Sequence, residues 1–101
     1  MRTRADLQTE LEKLLNSKHV YYQPPEGVKM EYPAIRYSKS NISSFHANNK
    51  KYCNFNCYDI VVLDKKPDNP VIDKILELPN SEFDRHYTSD GLNHDIIRLY
   101  Y

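Results

Sequence analysis

The stretch YCNFNCYDIVVLD, from Tyr52 to Asp64, sets the strictest limit on what this chain can fold into. Its first half alternates, with Asn54 and Asn56 on one side and Cys53, Phe55 and Cys57 on the other. Its second half, Ile60-Val61-Val62-Leu63, is apolar at every position. Alternation suits a strand with one wet face, and a continuous apolar run suits a strand covered on both. The pattern predicts one long strand that lies in mid-sheet at its Leu63 end and protrudes at its Tyr52 end. A mid-sheet strand needs a neighbour on each side, so the rest of the chain must supply them.

Upstream, Thr3 and Asp6 have the spacing of a capping box, in which each side chain holds the other's backbone N–H. Leu7, Leu11, Leu14 and Leu15 then repeat on one helical face, and the helix is expected to end near Asn16-Ser17. Val20-Tyr21-Tyr22 reads as a short strand stopped by Pro24-Pro25, and Ala34-Ile35-Arg36-Tyr37 as a second strand after Pro33. The segment SKSNISSFHANNKK, Ser38 to Lys51, is polar and reads as a long mobile loop or hairpin tip. Downstream, Lys65 to Asn69 reads as a turn, with Asn69 capping a helix and Pro70 at its first position. Val71, Ile72, Ile75, Leu76 and Leu78 give that helix its apolar face, and Pro79 ends it. Phe83 to Thr88 and Leu92 to Tyr101 read as strands joined at Asp90-Gly91, a two-residue turn signal. The order is α-β-β-β-α-β-β. This predicts a single α+β domain over residues 1–101, a mostly antiparallel sheet of four to five strands with both helices on one face.

Composition narrows the function classes. Of the 101 residues 40% are hydrophobic, and 14 basic residues balance 14 acidic ones. A thin core with much polar surface follows, and the even balance removes the global basic footprint of a nucleic-acid binder. The charge is unevenly placed. Residues 29–66 hold seven basic and three acidic residues, a net of +4, and residues 67–101 hold three basic and seven acidic, a net of -4. Such a subunit could complement a copy of itself head to tail. The start Met1-Arg2-Thr3-Arg4 runs into a polar amphipathic stretch, so no leader is expected, and no apolar run has the length of a membrane span. In a strand Cys53 and Cys57 stand about 13 Å apart, too far for a disulfide.

Three constellations could carry chemistry. The first is FDRHYTSDGLNHD, Phe83 to Asp95, with two histidines among carboxylates. A two-residue turn at Asp90-Gly91 places Tyr87 opposite His94 and His86 opposite Asp95. Alternation then sends His86 and His94 to opposite faces, which separates them as joint metal ligands, while a one-residue bulge would return them to one face. A cross-strand His86–Asp95 bond is the expected outcome. The second is Cys53 as a nucleophile, for which no local signature exists. The third is Lys50-Lys51 with Lys65-Lys66 as a phosphate-binding surface. With only Gly27 and Gly91 in the chain, no phosphate-cradling loop is available. Nine tyrosines and no tryptophan, with Tyr100-Tyr101 at the end of the sequence, favour contact surfaces.

The segments VYYQPPEGVKMEYPAIRY, YDIVVLDKKPD and LPNSEFDRHYTSDGLNHDIIRLYY resemble a family of small tailed-phage neck proteins, of the tail-terminator or tail-completion type, over nearly the whole chain. The resemblance implies a virion structural protein, assembled in the host cytoplasm as a ring, commonly a hexamer. That ring would cap the tail tube and join it to the head connector. Its partners would be copies of itself, the tail tube protein and a connector or stopper protein, with DNA passing through the lumen unread. It implies no catalysis and no cofactor. A joining or stopper protein of the same neck is the alternative, and a small enzyme using His86, His94 and Asp95 a second. The residues expected at interfaces are Asn41, Phe45, His46, Asn48, Lys50 and Lys51 of the polar segment, with Tyr100 and Tyr101.

Overall fold

The computed structural model describes the backbone of residues 3–24, 29, 31–47 and 50–101, and the side chains of all of these except 41–47 and 50–55. The elements are α1 (Arg4–Leu15), β1 (Val20–Tyr22), β2 (Ala34–Ala47), β3 (Lys50–Asp64), α2 (Val71–Leu76), β4 (Ser81–Ser89) and β5 (Leu92–Tyr100). They build the expected α+β architecture. The five strands form one mixed sheet in the order β1-β2-β3-β5-β4. β1 runs parallel to β2, and every other pair is antiparallel.

Local chemistry accounts for α1. The Thr3 hydroxyl accepts from the Asp6 backbone N–H at 3.2 Å, and the Asp6 carboxylate accepts from the Thr3 N–H at 3.0 Å. Asn16 closes the helix in the left-handed conformation, with φ of 58°. Leu7 and Leu11 are fully buried, and Leu14 and Leu15 pack partly against the same core.

β3 is the spine of the sheet. Its residues Cys57–Asp64 pair with Tyr100–Asn93 of β5 on one side, and the strand pairs with β2 along nearly its whole length on the other. The side chains of Tyr58, Ile60 and Val62 point toward the helices and meet Ile35 and Tyr37 of β2 and Ile97 and Leu99 of β5. Val61 and Leu63 take the opposite face with Ile96. Both helices lie on one face, because Leu7 and Leu11 of α1 and Val71 and Ile75 of α2 close over that first set. Among the described residues, no helix is long and apolar enough to cross a membrane.

One reading of the sequence is narrowed and one is corrected. Of loop and hairpin, the two readings open for Ser38–Lys51, the structure takes the hairpin, since β2 continues to Ala47 and β3 begins at Lys50. Each Ser or Asn opposes strand formation by at most about 1 kcal/mol, the full span of the propensity scale for one residue. The backbone groups of the protruding half of β3 need partners, and the returning β2 supplies them. Register shifts between Lys39 and Asn41 and between Phe45 and His46 accommodate the pairing. The second helix is also shorter than its apolar pattern suggests. Pro70 is itself the cap residue, and Asn69 stands one position outside, its side-chain oxygen accepting the Val71 N–H at 2.9 Å. After Leu76 the chain tightens, with the Leu78 N–H bonded to the Ile75 carbonyl at 3.0 Å. Pro79 disfavours a helical residue before it, which ends the helix early.

The core holds one polar atom that has no hydrogen-bond partner among the described residues, the hydroxyl of Tyr58. Tyr37 is equally buried, but its hydroxyl donates to the Gln8 side-chain oxygen. Burial raises the pKa of both phenols above the ordinary 10.0. In the unfolded chain they ionise near that value, while in the fold they stay protonated to higher pH. The stability they lend is therefore complete below pH 10 and is lost as pH rises through the folded value. Tyr58→Phe removes an unsatisfied buried hydroxyl and one of the two alkaline-sensitive groups. The expected result is a gain of about 1 kcal/mol near neutrality and a larger gain over wild type at about pH 11. Urea unfolding at the two pH values measures both.

Candidate functional site

The hairpin of β4 and β5 turns where the sequence indicated. Asp90 and Gly91 both have positive φ, 52° and 75°, as a two-residue primed turn requires. The register that follows sets Ser89 against Leu92, Tyr87 against His94 and His86 against Asp95. The two histidines accordingly leave the ribbon on opposite faces.

His86 faces the helices. Its Nδ1 lies 2.7 Å from Oδ1 of Asp95, whose side chain is only 12% exposed. A carboxylate accepts, so the imidazole donates from Nδ1. The pair sits at a concavity of about 440 Å³ between β4 and the start of α2, lined by Phe83, Ile72, Leu76 and Asp73 among others. His94 faces the other way. Its ring stacks on Tyr87, with centroids 4.5 Å apart and planes 10° from parallel, and its Nδ1 donates to the Leu92 carbonyl at 3.2 Å. Among the described residues, no group of three or more His, Cys, Asp or Glu side chains is placed to hold a metal ion. Cys57 is a buried free thiol, and Cys53 lies outside the described side chains.

The face of the sheet away from the helices carries a polar rung. Arg98 lies between Asp59, at 3.9 Å, and Glu82, at 3.6 Å, across β3, β5 and β4. Beside it Val61 and Ile96 form a short apolar stripe between Arg36 of β2 and Arg85 of β4. Together they floor a broad open concavity of about 720 Å³. The β5 run Ile96-Ile97-Arg98-Leu99 holds the signal for this face, since alternation sends Ile96 and Arg98 one way and Ile97 and Leu99 the other.

The largest feature is an arm. β5 reaches only as far as Cys57 of β3, and the Tyr101 backbone then pairs with Asn56 through bonds of 2.8 and 3.3 Å. Beyond Asn56, among the described residues, β2 and β3 continue without a third strand, through the pairs Ser43↔Phe55, Phe45↔Cys53, His46↔Lys51 and Ala47↔Lys50. The arm adds about 20 Å to one end of the sheet. The molecule measures 49 × 23 × 22 Å.

The predicted interface residues that the structure describes fall along this arm. Tyr100 and Tyr101 sit at its root and dock within the subunit, Tyr100 pairing with Cys57 and Tyr101 packing partly against the core. Asn41, Phe45, His46, Lys50 and Lys51 occupy its two strands, with side chains outside the described set, and Asn48 lies outside the described residues altogether. What sequence reasoning missed is the other margin of the sheet. β4 is an edge strand exposed at every position from Glu82 to Ser89.

Strand order also turns the sequence's charge division into a spatial one. The net-positive residues 29–66 build β2 and β3, and the net-negative residues 67–101 build α2, β5 and β4 on the other side of the sheet. Compared with protein-family models the chain matches none, and no curated protein matches it.

Proposed function

We propose that the chain is a structural subunit of a tailed-phage neck, forming a ring that terminates the tail tube and joins it to the head connector. The observation that carries this reading is the β2–β3 arm, which the subunit builds but, among the described residues, does not cover. A two-stranded ribbon is marginal in water by itself, and a neighbouring subunit is a natural source of the missing contacts. The division of charge across the sheet supports the same reading, because head-to-tail packing needs two different complementary surfaces. The resemblance of the three quoted segments to neck proteins supplies the setting: the virion, with tube protein and connector as neighbours and DNA crossing the lumen unread. A joining or stopper protein would use the same ring with different neighbours.

Sedimentation velocity and negative-stain imaging test the proposal, first on the purified protein and then with the tail tube protein of the same phage. Rings are expected alone or on the tube. A protein that stays monomeric at high concentration, in both low and physiological salt, and that adds nothing to tubes would overturn it.

A further inference from the structure

The sheet leaves strand edges uncovered at two opposite margins. Among the described residues, β1 covers the outer edge of β2 only from Ile35 to Tyr37, and no strand pairs with that edge from Lys39 to Ala47. At the far margin, again among the described residues, β4 pairs with β5 on one side and with no strand on the other. Backbone N–H and C=O groups along such edges are templates for a further strand. Each edge contains an unbroken regular run. On β2 it is Asn41–Phe45, between the two register shifts, and on β4 it is Arg85–Ser89, beyond the shift that follows Phe83. The two runs have the same length. Their segments also differ in charge. Residues 38–51 carry Lys39, Lys50 and Lys51 and no acidic residue, and residues 81–91 carry Glu82, Asp84 and Asp90 against Arg85.

We propose that the free edge of the arm pairs with the β4 edge of a second copy, so that one subunit's sheet continues into the next. This inference rests on the ring reading above and names the surfaces that would join. Main-chain hydrogen bonds hold the contact, as in strand addition generally. Charge selects the partner edge, because arm against arm sets lysine against lysine, while arm against β4 sets lysine against carboxylate. Each copy offers its arm at one margin and β4 at the other. The contact is heterologous, so it repeats from copy to copy until the ring closes.

The test uses the full chain and two variants, Lys50→Glu/Lys51→Glu and Glu82→Lys/Asp84→Lys. Each alone is expected to weaken self-association about tenfold or more, read by sedimentation velocity. An equimolar mixture should recover it, since each variant's arm then meets a β4 edge of opposite charge. Hydrogen exchange on the wild type needs no variant to fold. Amides of 41–45 and 85–89 should exchange more slowly in the concentrated, assembled protein than in the dilute one. A wild type that assembles without that protection, or variants that assemble unchanged, or a mixture that fails to recover, would overturn the edge contact while the ring stands. A wild type that forms no oligomer, alone or on tubes, would overturn both.

Discussion

Leu11→Ala is expected to lower the free energy of unfolding by about 2–5 kcal/mol. Leu11 is completely buried beneath the sheet, in one cluster with Leu7, Ile60 and Val62. Truncation removes the transfer energy of its side chain and leaves a hole that backbone on both sides holds open. A domain of this size has about 5–15 kcal/mol in total, so a large part of it would be lost. The effect should exceed that of Leu14→Ala, because Leu14 is only partly buried. Urea denaturation followed by circular dichroism measures the difference. Equal losses at the two positions would contradict the placement of α1 on the sheet.

His86→Ala is expected to cost about 1–3 kcal/mol, although His86 itself is 44% exposed. The cost arises at Asp95. Its carboxylate is nearly covered and accepts the imidazole N–H at 2.7 Å. Without that donor a buried carboxylate loses its partner, which is more damaging than removing both groups. The double variant His86→Leu/Asp95→Leu should therefore be more stable than His86→Ala. His94→Ala, which removes a stacked ring on the open face, should cost less. The same variants bear on function. A ring protein would change only in stability or assembly, whereas an enzyme built on His86 would lose its activity.

The sequence was most informative where local geometry leaves few choices. The capping box at Thr3 and Asp6, the primed turn at Asp90-Gly91 and the two-faced run Ile60–Leu63 each admit essentially one structure, and each element stands where its pattern puts it. The His86–Asp95 bond was legible for the same reason, since a two-residue turn fixes cross-strand partners by counting. For Ser38–Lys51 the sequence left loop and hairpin both open, because its residues have weak intrinsic preference and its strand character comes from the demand of β3 for a partner. Only the pairing reveals that demand. The start of α2 was off by one residue because Asn69 and Pro70 can both serve as caps. The edge position of β4 was not legible, since nothing in its own residues says which side β5 will take.

The strand order β1-β2-β3-β5-β4 has a further consequence, for the way the domain is completed during synthesis. β4 leaves the ribosome before β5, yet it joins the sheet only through β5. Until β5 has emerged, β3 has one bare flank and β4 has no partner strand. A chain interrupted within β5 would thus lose two strands rather than one, along with the Ile97 and Leu99 side of the core. Truncated products should be recognised as unfolded, not persist as nearly complete subunits competing for places in an assembly.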